Sequence, residues 1–365
     1  MTNAPLPLAR RRLIGALAAP LLLGRGTAVR AAPPLLLSAA VAAVPFPQGA
    51  TILIAGPDGG SLARWGDTVA AALNETLPPG TKLHTTCTGG IDGVTGANQF
   101  EARVPPDGAT VLLAPGAAAL DWLVGDSRAH FDAEHWVPAM AGVTPAIVMA
   151  RPDAAPLGTG RAVRVAASGP VGPQLPALLG LDLLGASVVP VFDLVGQEAA
   201  IAAYAAGKVD AVLTWGENVP WQVAALQEAG ARPLFGLGTA SATGEPSGDP
   251  EFRDLPTLAD LHVALRGTAP AGARYDAWRA ASAATKLAFV LVLPRLTSAA
   301  MVALWRRAAS QAVTQPGVQA LSGTFAVQPM EGVAAAAAMT CVAADTAALL
   351  ELRGWLATQF NWRPV

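Results

Sequence analysis

Two glycine-rich turns carry the residues of this sequence that are best suited to binding chemistry. Each turn follows a short β-like run and precedes a helix-like run. Such a turn directs backbone N–H groups and the positive end of a helix at one spot, which makes an anion site without a basic side chain. On the turns alone, an ordinary tight turn remains the alternative. The candidate anion-binding residues are Gly59, Gly60, Ser61, Gly89, Gly90 and Gly93.

Catalytic and metal-binding patterns give no comparable signal. Ser168 has no base paired with it in the sequence, and the Gly-x-Ser-x-Gly elbow of hydrolases is absent. His130 and His135 are five residues apart, so they do not share a helix face as a metal pair would. The first turn lacks both the dinucleotide fingerprint and the lysine of a phosphate loop. We therefore expect a protein that is not an enzyme and that uses no cofactor or metal.

The elements that position the turns alternate between strand-like and helix-like segments. This alternation predicts parallel sheets covered by helices on both faces, with ligands bound at the carboxyl ends of the strands. An alanine-rich helical run over residues 268–285 has no clear partner, and a final helix is predicted near Val333–Gln359. The predicted strands are Thr51–Ala55, Lys82–Thr86, Thr110–Ala114, Val163–Ala167, Val188–Phe192, Val209–Thr214 and Leu287–Leu293.

Composition and charge limit the class of partner. The 365 residues are 52% hydrophobic, which is enough for a large core. Residues 1–32 hold five arginines and no acidic residue, so the rest of the chain has 19 basic against 26 acidic side chains, a net charge of −7. Nucleic acid is therefore not expected as a partner, because phosphate binding needs a basic surface. A small anion is still compatible, since local dipoles outweigh distant surface charge.

The N-terminus has the three parts of an export signal. Arg10–Arg12 form a basic region, Leu13–Leu23 an apolar region, and small residues near Ala31 a cleavage site. Residues 1–32 are thus predicted to be a signal peptide and residues 33–48 a linker, which places the mature protein in the periplasm. The Sec and twin-arginine routes both remain open, as do separate thiols or a disulfide for Cys87 and Cys341.

Several motifs, in order along residues 50–345, resemble those of one known family. The chain looks like the periplasmic receptors of tripartite tricarboxylate transporters, the Bug-type solute-binding proteins. The Pro-Pro-Asp-Gly element is the most specific of the motifs, and each glycine turn alone is weak. The matching segments are Pro57–Ser61, Gly89–Gly96, Pro105–Leu112, Gly207–Asp210, Leu255–Asp260 and Pro294–Thr297.

The resemblance implies an α/β, bilobal periplasmic-binding-protein fold of type II with a hinge and a cleft between the lobes. Lobe 1 would hold residues 49–145 plus 290–365 and lobe 2 residues 146–289, with crossings near Gly142–Ala150 and Ala288–Leu293. It further implies a monomer that binds a small organic carboxylate or an amino acid and delivers it to membrane permease subunits. The second lobe would contribute Ser168, Gly169, Asp193, Trp215 and Asn218.

Departures from the family pattern leave the ligand open. Ala63 stands where the family usually has an aspartate, and Val189–Gly196 lacks the usual tyrosine. Asp193 would repel a carboxylate, so it either meets a ligand amine or points elsewhere, and Trp215 is as compatible with a core position as with a ligand platform. A bilobal enzyme and a ligand-sensing partner of a signalling receptor are the two alternative functions.

Overall fold

The computed structural model describes residues 46–47, 49–154, 162–240, 246–249 and 251–364. The predicted signal peptide and nearly all of the predicted linker lie outside these residues. Within the described part of the chain, Cys87 and Cys341 are not joined by a disulfide.

The first part of the chain builds most of one sheet by alternating strands with helices. Strand β1 pairs in parallel with β2 on one side and β3 on the other. Ile52, Leu53 and Ile54 of β1 are all buried, as expected for a parallel strand covered on both faces. The elements are β1 (Gly49–Ile54), α1 (Ser61–Thr76), β2 (Lys82–Cys87), α2 (Val94–Arg103), β3 (Thr110–Ala114), α3 (Gly116–Val124) and β4 (Val137–Val143).

The middle of the chain builds a second sheet of the same kind. Its strands lie in the order β7-β6-β8-β5-β9, with β6 parallel to both β7 and β8, and β5 antiparallel to β8 and β9. The elements are β5 (Ile147–Ala150), β6 (Ala162–Ala166), α4 (Leu175–Leu183), β7 (Ser187–Val191), α5 (Gln197–Ala205), β8 (Ala211–Thr214), α6 (Val219–Glu228) and β9 (Arg232–Gly236).

The last part of the chain returns to the first sheet. Strand β12 inserts antiparallel between β3 and β4, and β13 extends the edge beyond β4, so that the order is β13-β4-β12-β3-β1-β2. The elements are β10 (Thr239–Ala240), β11 (Pro246–Ser247), α7 (Leu258–Arg266), α8 (Ala273–Lys286), β12 (Leu287–Leu293), α9 (Ala299–Ala312), α10 (Pro316–Phe325), β13 (Gln328–Glu331), α11 (Gly332–Val342) and α12 (Thr346–Phe360).

The six-stranded and five-stranded sheets, each with helices between its strands, confirm the predicted α/β fold class. The chain passes from the first sheet to the second over residues 144–146, between β4 and β5, and returns through α7 and α8 into β12. The lobe boundaries inferred from the family resemblance stay a prediction.

The predicted single helix near the C-terminus is wrong, because the segment forms two helices. The helix α11 ends before residue 343, and Asp345 starts α12 by accepting a hydrogen bond from the Ala348 N–H at 2.7 Å. Among the described residues, no one helix combines the length and the apolar composition of a membrane span. Only α11 and α12 taken together do so, with a bend of 54° between them.

The alanine-rich run, for which the sequence showed no clear partner, forms helix α8 and packs against helices of both halves. It packs against α3, α11 and α12 beside the first sheet and against α4 beside the second. Trp278 is fully buried, and its Nε1–H donates to the Pro176 carbonyl of α4 at 3.0 Å. Arg274 reaches both Asp182 of α4 and Glu351 of α12. The described residues accordingly belong to one compact unit.

Candidate functional site

The two glycine-rich turns leave the first sheet as neighbours. Ile54 at the end of β1 lies opposite Cys87 at the end of β2, so both turns begin at the same edge. The Thr88 N–H donates to the Ile54 carbonyl at 2.9 Å. A Cβ on Gly96 would lie only 2.6 Å from the Ala55 Cα, so the second turn packs directly against the start of the first.

The first turn presents an open helix end. Gly60 is the N-cap of α1 with extended backbone (φ −74°, ψ 174°), and it has no side chain that could accept from the helix. The first turn of this 16-residue helix holds no acidic residue. Gly59 and Ser61 are exposed, and Gly59 has a φ of 71° that favours glycine. The positive end of α1 is therefore available to a negative group from outside the helix.

The second turn already holds a carboxylate of the protein itself. The Val94 N–H at the start of α2 donates to Asp92 Oδ1 at 3.2 Å, and Asp92 Oδ2 lies 2.8 Å from Arg128 Nη1. Gly93 is required here because a Cβ would lie 2.6 Å from Pro115 Cδ, and its φ is 78°. Asp92 thus competes with any external anion at the N-terminus of α2.

A half-buried acid behind the second turn, Asp121, makes stability depend on pH. Burial, together with the nearby Asp126 and Asp92 carboxylates, raises the pKa of Asp121 to about 7, and Arg128 opposes this only in part. Because the folded protein holds this proton more tightly than the unfolded chain, stability falls as pH rises from about 4 to 7 and stays low above that.

Replacing Asp121 with asparagine is therefore expected to stabilise the protein at pH 8 by about 1–2 kcal/mol, after a discount for partial exposure, and less at pH 5. Urea unfolding at both pH values measures this difference. Asp126→Asn is the control with the opposite sign, because hydrogen bonding to Arg128 lowers the pKa of Asp126. An equal gain for Asp121→Asn at pH 5 and pH 8 would contradict the assignment.

The candidates from the middle of the chain gather at one edge of the second sheet. Ser168 and Gly169 follow β6, Asp193 follows β7, and Trp215 and Asn218 follow β8, and these three strands are adjacent and parallel. Backbone hydrogen bonds between residues 167 and 191 and between residues 194 and 167 tie the first two turns together.

Two buried glutamines that the sequence reading missed hold these turns in shape. Gln174 Oε1 accepts from the Ser168 hydroxyl at 3.0 Å. Gln222 Nε2 donates to the carbonyls of Trp215 at 3.0 Å and Glu217 at 2.8 Å, while its Oε1 accepts from the Trp215 N–H. Each glutamine lies near the start of the helix after its turn, which is the signal that could have drawn attention to it.

The remaining second-sheet candidates differ in their surroundings. Asp193 is exposed and has a left-handed backbone (φ 67°). Trp215 is half-buried against the main core, and its Nε1 is buried without a hydrogen-bond partner among the described residues. Asn218 caps α6 with a φ of 60°, and its N–H donates to the Phe325 carbonyl of α10 at 3.1 Å.

A direct bridge joins the first glycine turn to the turn after β8. The Ser61 hydroxyl donates to Glu217 Oε1, and Arg64 Nη2 lies 3.2 Å from Glu217 Oε2. The Arg64 guanidinium also lies over the Phe325 ring, 4.9 Å from its centroid. The sequence reading named Asn218 and Trp215 but missed Glu217 between them, and it missed Arg64. Among the hydrogen bonds of the described residues, none brings Asp193 or the second turn into this bridge.

A cavity of about 620 Å³ lies beside the bridge, at the β4–β5 connection. Asn218 is the predicted site residue that lines it. Ser322 on its wall is buried, and Ser322 Oγ has no hydrogen-bond partner within the described part of the chain. Trp221 at its rim is 57% exposed.

Comparisons with known proteins bear on the fold. No family model and no curated protein matches this sequence. A TctC solute-binding protein from Polaromonas, solved without ligand, is similar with a TM-score of 0.62 and 17% identity, over 86% of this chain and 98% of that one. A protein from R. palustris, solved with adipate, is similar with a TM-score of 0.50 and 16% identity, over 88% and 100%. The family resemblance is thus confirmed at the level of the fold: the chain has the bilobal α/β fold of the TctC-type solute-binding proteins.

Proposed function

We propose that the protein is an extracytoplasmic solute receptor that binds a small organic carboxylate between its two α/β halves. In this proposal it is exported to the periplasm, acts as a monomer without catalysis, and delivers the ligand to a tripartite tricarboxylate-type permease. The observation that carries the proposal is the position of a carboxylate group on Ser61, at the open end of α1, supplied by Glu217 of the facing half.

The chemistry of this spot favours a carboxylate. The end of α1 contributes backbone N–H groups and a partial positive charge, and Ser61 adds a hydroxyl donor. Hydrogen bonds from such donors to a charged group contribute roughly 1.5–3 kcal/mol each. Arg64 is the basic side chain next to this spot, and its charge complements a negative ligand.

The facing edge of the second sheet supplies the other half of the proposed site. Ser168, Gly169 and Trp215 lie on turns that Gln174 and Gln222 hold in place. A ligand that contacts both edges binds the closed arrangement better than the open one, and this difference drives closure. The adipate bound to the R. palustris protein is a dicarboxylate, which supports the same ligand class here.

A thermal-shift screen of small carboxylates, with adipate among them, tests the ligand class. A ligand at about 100 times its Kd is expected to add roughly 2.7 kcal/mol of stability. Gly60→Asp is expected to abolish this shift, because the new carboxylate would accept hydrogen bonds from the N-terminal N–H groups of α1 and exclude the ligand carboxylate. The fold is expected to survive, since aspartate is a favourable N-cap in the extended backbone of Gly60.

Gly60→Ser is the matched control, because it adds a cap at the same position without the charge. In both variants the new Cβ lies 3.2 Å from the Pro57 carbonyl oxygen, so both require the same small adjustment. Gly60→Ser should keep a thermal shift that Gly60→Asp loses. A wild-type shift in Gly60→Asp would show that the ligand binds elsewhere.

A further inference from the structure

We propose that Glu217 is a built-in competitor for the ligand carboxylate and that it latches the two halves of the protein together until a ligand replaces it. The inference rests on the proposed function, because it assigns to Glu217 the position on Ser61 that a ligand carboxylate would take. It makes Glu217 a determinant of ligand affinity and of the conformation of the free receptor.

Both oxygens of the Glu217 carboxylate are used across the gap between the halves. Oε1 accepts from Ser61 and Oε2 pairs with Arg64, and both partners belong to α1 beside the first sheet. Glu217 itself belongs to the turn after β8 of the second sheet. The Glu217 side chain is 23% exposed and that of Arg64 is 52% exposed, so the pair is accessible to a competing anion.

The backbone that presents Glu217 is held without help from its carboxylate. Gln222 is 3% exposed, and it bonds to the Glu217 carbonyl and to both backbone groups of Trp215. Asn218, in a left-handed conformation, donates its N–H to Phe325 on α10. Removing the Glu217 side chain therefore leaves the turn in place and removes only the charged contact.

A ligand carboxylate and Glu217 cannot both occupy Ser61. The ligand must break the Glu217 contacts first, and it then stands beside a displaced negative charge. Because exposed ion pairs of this kind are weak, the expected effect on affinity is moderate. We expect Glu217→Ala to bind acetate, as a minimal carboxylate, roughly three- to tenfold more tightly than the wild type.

The test compares Glu217→Ala with the wild type in small-angle X-ray scattering and in acetate titrations followed by thermal shift. Without acetate, Glu217→Ala is expected to have the larger radius of gyration. In the acetate titrations, sodium chloride at the same ionic strength should not reproduce the thermal shift that acetate gives. Glu228→Ala, an exposed position at the other end of α6, is the matched control and should behave as the wild type.

The outcomes separate the latch from the proposed function. If Glu217→Ala is as compact as the wild type and does not gain affinity for acetate, the latch is overturned, whereas Gly60→Asp still tests the carboxylate site. If Glu217→Ala opens but acetate does not bind to it, the competitor role is overturned together with the carboxylate site. Ser61→Ala leaves the Arg64–Glu217 pair in place, so it is expected to open the free protein less than Glu217→Ala does, and a larger opening than that of Glu217→Ala would also contradict the latch.

Discussion

Replacing Gly116 with alanine is expected to lower the free energy of unfolding by about 3 kcal/mol. Gly116 starts α3 at the point where this helix meets the junction of α8 and β12. A Cβ there would lie 2.0 Å from the Ala284 carbonyl oxygen and 2.6 Å from that of Leu287. Both atoms are backbone atoms, so no side-chain rotation relieves the clash, and two helices must move apart.

Gly354→Ala provides the matched control in α12. A Cβ at Gly354 would have no atom within 4 Å, so alanine meets no obstacle there. Alanine also has the higher helix propensity, and we expect a gain of about 0.5–1 kcal/mol. Urea unfolding of both variants measures the contrast. A Gly116→Ala protein as stable as the wild type would show that α3 and α8 are not packed this closely.

Lys286 is expected to make the protein more stable as pH rises from 8 to 10. This side chain is buried at the end of α8, and burial lowers its pKa to about 8, although Asp249 and Cys341 act in the opposite direction. Between pH 8 and the ordinary pKa of lysine the unfolded chain binds this proton and the folded protein does not, so stability increases with pH. The shift corresponds to about 3 kcal/mol across the whole window.

Lys286→Met should remove this pH dependence. The measured quantity is the slope of the free energy of unfolding between pH 8 and pH 10, because methionine also leaves Asp249 without the neighbouring positive charge. Lys208→Met is the control, since Lys208 is exposed and should leave the slope unchanged. A slope that persists in Lys286→Met would assign the effect to another group.

Strong local signals explain which elements the sequence could predict. The run Leu287–Leu293 is continuously apolar and ends before a proline, and it forms β12 with those bounds. Serine is a favourable N-cap residue, and the Ser298 side chain accepts from the Met301 N–H at the start of α9. The strands β9 and β13 were not predicted. Both lie at the edge of a sheet and contain a proline. An edge strand tolerates proline, but a proline in the sequence argues against a strand, so the pattern did not predict them.

The candidate site was predictable only where backbone geometry defines it. Glycine turns after strands can be read from the order of residue types, and the structure places them at the edges of the two sheets. Glu217 and Arg64 could not be found in this way, because their pairing joins residues 153 positions apart in sequence. The buried glutamines Gln174 and Gln222 act through side-chain hydrogen bonds to their turns, which no periodic pattern encodes.

Because helix α8 packs against both halves, neither half can be treated as an independent module. Its buried face is shared, with Trp278 against α4 on one side and α3 and α12 on the other. A half excised at either sheet would expose to solvent an apolar surface that is buried in the whole protein. Chimeric receptors that exchange one half between relatives must therefore carry α8 and its contact surfaces as a set, or redesign the surface left behind.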